Sequence, residues 1–144
     1  MKDISASLHF EFEVHGGDFN KAGDASSRVK RILQQIGANP TVIRRVAVAC
    51  YEAEMNVVIH ARHGFVMLDA DPSRVLIVVE DEGPGIEDIA MAMTPGFSTA
   101  PDSVREMGFG AGMGLPNMKN CSSLMEIKSE KGVGTMVRMV FENA

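Results

Sequence analysis

An apolar run that leads directly into an acidic pair and a glycine turn most constrains how this chain can fold. The residues Val75–Val79 are apolar and mostly β-branched, and Glu80–Gly85 follow them with the sequence EDEGPG. Such a short, β-branched run suits a strand that is buried on both faces. Asp81 is therefore predicted where the strand ends, and Gly83 and Gly85 leave room for another group to approach the backbone closely.

Two further patterns suggest what this strand end could bind. Glu52 and Asn56 are four residues apart, which places them on one face of a predicted helix. Gly110, Gly112 and Gly114 form a glycine-rich loop that leads into another predicted helix. Each pattern alone is more often an ordinary helix surface, turn or flexible loop. Together, and in this order, the three patterns predict a nucleotide site.

Length, net charge and the lengths of the apolar runs argue against several classes of protein. The chain of 144 residues is predicted to form a single domain, residues 1–144. The net charge of −5, without a long basic run, argues against nucleic-acid binding. No run approaches the roughly 18 apolar residues of a membrane helix, and the N-terminal residues lack a signal-peptide core. Cys50 and Cys121 form no CxxC motif and are predicted to be buried free thiols, which suits the cytoplasm.

Periodicity predicts the element order β-α-α-β-β-α-β-β, with a long loop before the third main helix. Alternation over Ile4–Val14 predicts a half-buried strand, and helical spacing predicts helices over about residues 22–36 and 40–62. Asn39 is predicted to cap the second helix, with Pro40 in its first turn. The other predicted elements are strands Phe65–Asp69, Arg74–Asp81, Leu124–Lys128 and Thr135–Phe141, a short helix Ile86–Met93 and a helix Gly114–Cys121.

Because antiparallel hairpins dominate this order, the helices should lie on one face of the sheet. The predicted fold class is α+β, a two-layer sandwich with a mixed, mostly antiparallel sheet. On the long helix, Glu52 and Asn56 are predicted at the edge of the buried face, whereas Glu54 is predicted to be solvated. Residues 94–109 contain prolines and glycines but no sustained period, so they are predicted to form a functional lid.

At these residues the chain resembles the GHKL superfamily of ATP-binding domains, which includes gyrase, Hsp90, histidine kinases and MutL. The resemblance covers residues 4–142 and implies the Bergerat ATP-binding fold. Four stretches resemble the family's boxes in order: Glu52–Asn56 the N box, Asp81–Gly85 the DxGxG box, Gly110–Leu115 the GxGxGL box, and Gly134-Thr135 the GT element.

Three further stretches resemble one branch of that superfamily. The small size of the chain and the stretch Asn56–His60 resemble the bacterial anti-sigma-factor serine kinases. Gly96–Ala100 and Gly114–Pro116 resemble the related switch kinases. Pro101–Gly108 is longer and more charged than this branch leads one to expect.

The resemblance implies that ATP or ADP binds with Mg²⁺. Asp81 would accept a hydrogen bond from the N6 amine of adenine, and Thr135 or a water would also bond this carboxylate. Gly83 and Gly85 would let the loop lie against the base. The phosphates would meet backbone N–H groups at the start of a helix, whose positive end favours anions. The residues assigned to the phosphates are Gly110, Gly112, Met113, Gly114 and Leu115.

The catalytic roles that the resemblance implies fall on the predicted long helix and the lid. Asn56 would supply one oxygen ligand to Mg²⁺, which takes its other ligands from phosphates and water. Glu52 would act as the general base toward a serine hydroxyl or water; the alternative is a solvated helix carboxylate. Arg105, in the predicted lid, would either contact the γ-phosphate or be a solvated loop residue.

Three functions are compatible with these residues. The first is a protein serine/threonine kinase that phosphorylates a small STAS-domain regulator. The second is a nucleotide-dependent anti-sigma or partner-binding module, and the third is a stand-alone ATPase. A sigma factor and a second copy of the chain are further candidate partners. The presence of Glu52 favours chemistry over binding alone.

Overall fold

The computed structural model describes residues 8–86, 88–93 and 114–142. The predicted order of elements is confirmed in these ranges; the predicted lid and residues 4–7 of the first predicted strand lie outside them. The elements are β1 (Leu8–His15), α1 (Asp24–Gln35), α2 (Pro40–His60), β2 (His63–Asp71), β3 (Arg74–Glu82), α3 (Ile89–Ala92), α4 (Gly114–Cys121), β4 (Leu124–Glu130) and β5 (Gly134–Glu142).

The described strands form one sheet in the order β1-β2-β3-β5-β4, and every neighbouring pair is antiparallel. The sheet therefore confirms the predicted α+β class and places β3 at its centre. A tight turn at Pro72-Ser73 joins β2 to β3. The carboxylate of Asp71 accepts hydrogen bonds from the backbone N–H groups of Ser73 (2.8 Å) and Arg74 (3.0 Å), which is the side-chain mimicry of a turn typical of Asp.

The core lies between one face of the sheet and the helices. Val75, Ile77 and Val79 point into this core and are at most 3% exposed, but the alternating Leu76 and Val78 are only half-buried. The prediction that this strand is buried on both faces is therefore wrong. An antiparallel sheet needs helices on one face only. On the other face of β3, Leu76 and Val78 can be partly shielded from water by side chains of the neighbouring strands.

Helix α2 begins as its sequence predicts. The side chain of Asn39 accepts a hydrogen bond from Thr41 N at 2.8 Å, and Pro40 takes the first helical position, where no N–H partner is needed. Helix α1 differs, because Gly23 precedes it with a φ of 97° and offers no side-chain cap. The first N–H groups of α1 must therefore find an acceptor elsewhere.

That acceptor is Glu54, so the prediction that Glu54 is solvated is wrong. The residue is 2% exposed, and its carboxylate accepts backbone hydrogen bonds at the start of α1.

Cys50, one turn earlier on α2, is fully buried as predicted. Burial and the neighbouring Glu54 carboxylate both raise the pKa of the Cys50 thiol, so the thiol stays protonated. The prediction that Cys121 is buried is wrong, because the residue is the last of α4 and its side chain is only half-buried.

Within the described ranges, the structure has no helix both long enough and apolar enough to cross a membrane.

Candidate functional site

Strand pairing fixes the surroundings of Asp81. In the β3–β5 register, Asp81 lies opposite Thr135, and Thr135 N donates a hydrogen bond to Asp81 Oδ1 at 3.1 Å. Partial burial raises the pKa of the Asp81 carboxyl, and the hydrogen bond from Thr135 opposes this shift. A carboxylate that is half-desolvated and has one backbone donor can still accept a hydrogen bond from a ligand amine.

The glycines around Asp81 are required by the protein's own backbone. A side-chain Cβ at Gly83 would lie 3.0 Å from Ala61 Cα and 3.3 Å from Asp81 Oδ1. Gly85 has a φ of 76°, and a Cβ there would lie 2.6 Å from the carbonyl oxygen of Glu130. The loop after β3 thus packs against the end of α2 and the β4–β5 hairpin. The assignment of Gly83 and Gly85 to the adenine base stays a prediction.

Ser129, on β4, joins this loop to the hairpin, and the sequence patterns did not single it out. Its Oγ accepts a hydrogen bond from Ile86 N at 2.6 Å and lies 3.0 Å from Thr135 Oγ1. It also lies 3.3 Å from the carbonyl oxygen of Gly134, to which it can donate. Ser129 therefore positions both the loop that follows Asp81 and the strand that carries Thr135.

A second group of predicted residues meets at the start of α4. A Cβ at Gly114 would lie 3.6 Å from Asn56 Oδ1 and 4.0 Å from Glu52 Cβ. Asn117, one turn into α4, donates a hydrogen bond from Nδ2 to Glu52 Oε2 at 2.9 Å. Leu115 is buried and anchors α4 in the core. The structure thus brings the Glu/Asn pair of α2 together with the N-terminus of α4, and it adds Asn117.

Helix α2 connects the two groups. Ala61, just after α2, packs against Gly83, and Arg62 N donates a hydrogen bond to Glu82 O at 2.8 Å. The helical rise places Asn56 about 7.5 Å and Glu52 about 13.5 Å back along the helix from Ala61. The site therefore runs along α2, from Asp81 at one end, past Asn56, to Glu52.

The rest of the predicted site lies outside the described residues. Arg105, Gly110, Gly112 and Met113 belong to that part of the chain. Across residues 8–86, 88–93 and 114–142, no cluster of His, Cys, Asp and Glu could hold a metal ion by itself. The amide oxygen of Asn56 is a suitable single ligand for Mg²⁺, which commonly takes few protein ligands and completes its shell with phosphates and water. The residues present therefore fit a metal that arrives with a phosphate ligand.

Known proteins are similar to this chain in sequence. Residues 18–141 match the histidine kinase-like ATPase domain. An anti-sigma F factor of Clostridium beijerinckii is 36% identical over 143 residues, which are 95% of this chain and 93% of that protein. The serine/threonine-protein kinase RsbT of Bacillus subtilis is 28% identical over 115 residues, which are 77% of this chain and 80% of that protein.

Two solved structures share the fold at low sequence identity. A chain of the SiaB–SiaC complex from Pseudomonas aeruginosa has a TM-score of 0.61 and 13% identity, and the match covers 94% of this chain and 90% of that chain. The RsbU and RsbW domains of a Mycobacterium tuberculosis protein give a TM-score of 0.58 and 18% identity. This chain is matched over 94% of its length but spans only 32% of that longer chain.

These matches confirm the resemblance that the four boxes indicate. The chain belongs to the histidine kinase-like ATPase domain family, within the GHKL superfamily, and to its branch of anti-sigma factors and switch kinases.

Proposed function

We propose that this chain is a Mg²⁺- and ATP-dependent protein serine/threonine kinase that phosphorylates a small STAS-domain regulator. The convergence of Glu52, Asn56 and the start of α4 at Gly114 carries this proposal. It puts a carboxylate and an amide oxygen beside a helix N-terminus, where a phosphate group is favoured. The relatives named as anti-sigma F factors and as a serine/threonine-protein kinase support the same class of function.

Each end of the site has a separate task. Asp81 accepts the exocyclic amine of adenine, while Thr135 and Ser129 hold the carboxylate and its loop in place. At the other end, Asn56 supplies a ligand to Mg²⁺, which offsets the charge of the phosphates when it is bound. Glu52 accepts the proton of the attacking serine hydroxyl, and the hydrogen bond from Asn117 fixes the direction of the Glu52 carboxylate.

One observation favours a second candidate, a partner-binding module with little transfer activity. Oxygen Oε2 of Glu52 already accepts the hydrogen bond from Asn117, so one of the two carboxylate oxygens is engaged within the protein. In that case nucleotide would set the affinity for a STAS-domain protein or a sigma factor. Both candidates share the nucleotide site and differ in what Glu52 does.

Transfer of labelled γ-phosphate to candidate STAS-domain proteins tests the proposal. Glu52→Gln keeps the shape of the side chain but removes the base, so transfer should fall by about 10²–10⁴-fold while ATP affinity is kept. Asn56→Ala should lower both Mg²⁺-dependent affinity and transfer. As a matched control, Glu126→Gln changes a half-exposed glutamate on β4, away from the site, and should leave transfer unchanged.

Two outcomes would contradict the proposal that this chain is a kinase. A Glu52→Gln protein that transfers phosphate at the wild-type rate would show that Glu52 is not the base. A wild-type protein that binds a partner in a nucleotide-dependent way, but transfers no phosphate to it, would establish the binding module instead.

A further inference from the structure

Glu54 makes contacts that a solvated helix residue would not make. Its Oε2 accepts hydrogen bonds from Gly23 N (3.0 Å) and Ala25 N (3.2 Å), and its Oε1 accepts one from Ser26 N (2.9 Å). The residue is 2% exposed, so water does not compete for these bonds. A buried carboxylate is retained only where such donors offset its desolvation.

The three N–H groups belong to the first turn of α1 and the residue before it. Helix α1 starts at Asp24, and Gly23 supplies no side-chain oxygen to cap it. The N-terminus of a helix has unpaired N–H groups and carries positive partial charge, so a carboxylate is favoured there. A side chain from α2 thus caps a helix that begins about thirty residues earlier in the chain, and it joins the two helices firmly.

The position of Glu54 on α2 relates this cap to the candidate site. With 3.6 residues per turn, Glu54 points about 160° away from both Glu52 and Asn56 around the helix axis. Helix α2 is therefore held on one side by its bonds to α1, and it presents the Glu/Asn pair to α4 on the other. A rotation of α2 that moved Asn56 away from Gly114 would also break the bonds of Glu54.

We propose that Glu54 is a positioning residue for the nucleotide site: by binding the N-terminus of α1 it fixes the rotation of α2 and so directs Glu52 and Asn56 toward the phosphates and metal. This inference rests on the proposed function. Its effect should fall on the α4 end of the site, because Asp81 and Thr135 are paired within the sheet, and α2 meets their end through Ala61 and Arg62, which follow the helix. A purely structural role would weaken both ends alike.

The test uses Glu54→Gln in the chain of 144 residues. Glutamine has nearly the same shape, but its amide nitrogen cannot accept a hydrogen bond and would face one or two of the N–H donors. Glu11→Gln, at an exposed glutamate on β1, is the matched control. Adenosine measures the Asp81 end alone, whereas the gain in ATP affinity on adding Mg²⁺ measures the Asn56 end. Titrations are made at a temperature where circular dichroism shows both variants folded.

In Glu54→Gln, adenosine affinity should stay within about twofold of wild type. The gain in ATP affinity from Mg²⁺ should fall about tenfold, and phosphoryl transfer at saturating ATP should fall at least as much. If the folded variant shows the same Mg²⁺-dependent gain in ATP affinity and the same transfer rate as wild type, the inference is overturned. Equal losses for adenosine and for ATP with Mg²⁺ would also overturn it, because they would indicate a structural role alone.

A second variant tests the contact from α1 if Glu54→Gln does not fold. Gly23→Ala strains a residue with a φ of 97° and shifts the N–H donors, while the sequence of α2 stays unchanged and the added Cβ makes only an ordinary contact with the Tyr51 ring of α2, at 3.4 Å. The same selective loss supports the inference, and an unchanged Mg²⁺ gain overturns it. A wild-type protein that binds neither adenosine nor ATP overturns the proposed function itself, so the two failures are distinguishable.

Discussion

The two ends of the candidate site are built by different kinds of structure. At the Asp81 end, hydrogen-bonded strand pairs fix the register, so Asp81 must lie opposite Thr135 wherever the sheet forms. At the Glu52 end, side chains of α2 and α4, two helices far apart in the sequence, meet, and a side-chain hydrogen bond from Asn117 to Glu52 links them. The geometry of the first end is therefore lost only when the strand pairing is lost, whereas the geometry of the second can change while the fold survives.

The largest expected effect is at the strand end. A Cβ at Gly134 would overlap the carbonyl oxygen of Asp81, so Gly134→Ala must force β3 and β5 apart. We expect a loss of about 2–4 kcal/mol in the free energy of unfolding, measured by urea denaturation. Gly132→Ala, in the same hairpin, is the control: it meets no atom within 4 Å and should cost only about 1 kcal/mol, from its φ of 81°. If Gly134→Ala and Gly132→Ala lost equal free energy of unfolding, the close approach of Gly134 to Asp81 would be contradicted.

Asp81→Asn should separate binding from stability. The variant loses the acceptor pattern for the adenine amine, so ATP binding should weaken by roughly 1–3 kcal/mol in a calorimetric titration. The free protein should lose no stability, because the introduced amide oxygen can still accept a hydrogen bond from Thr135 N and the side chain carries no charge. A variant that binds ATP as wild type does would remove Asp81 from the site.

The same carboxyl predicts a dependence on pH. Burial raises the pKa of Asp81 above its ordinary value of 3.8, so the folded protein binds this proton more tightly than the unfolded chain. Its stabilising contribution is full below 3.8 and is lost as the pH rises through the raised folded pKa. Relative to Asp81→Asn, wild type should therefore lose stability as the pH rises above 3.8 in urea denaturations. If the stability of wild type relative to Asp81→Asn instead increased with pH, the raised pKa of Asp81 would be contradicted.

The smallest expected effect is at the helix end. Asn117→Ala removes the hydrogen bond to Glu52, which is worth about 1 kcal/mol. If that bond orients the base, phosphoryl transfer should fall by about three- to tenfold, while ATP affinity stays close to wild type and the free energy of unfolding falls by no more than about 1 kcal/mol. A faster transfer in Asn117→Ala would mean instead that Asn117 restrains Glu52, as the binding-module candidate requires.

The sequence predicted most reliably what depends on residues close together in the chain. The Asn39 cap and the strand predicted over Thr135–Phe141 are local patterns with a direct physical cause, and the structure confirms them. The order of elements followed, because each strand and helix has its own period. Burial of β3 on both faces was wrong, since an apolar run does not reveal which sheet face the helices cover.

The contacts that the sequence did not predict are those between distant residues. Glu54 appears in the sequence only as a carboxylate beside the apolar stripe of a helix, and its donors lie 28–31 residues away. Ser129 acts through its place opposite Thr135, which depends on the β4–β5 register. Asn117 reaches Glu52 only because of the way α4 packs on α2. The four sequence boxes predict none of these three contacts, because each contact depends on how distant segments pack in the folded structure.

One calorimetric comparison tests the central claim, that the strand end and the helix end bind the same nucleotide. Adenosine and ATP, each with and without Mg²⁺, are titrated into wild type, Asp81→Asn and Asn56→Ala. Asp81→Asn should weaken both ligands, whereas Asn56→Ala should bind adenosine normally and lose about tenfold or more of the ATP affinity that Mg²⁺ adds. Normal binding of both ligands by Asp81→Asn, or an adenosine defect in Asn56→Ala as large as its ATP defect, would contradict the claim.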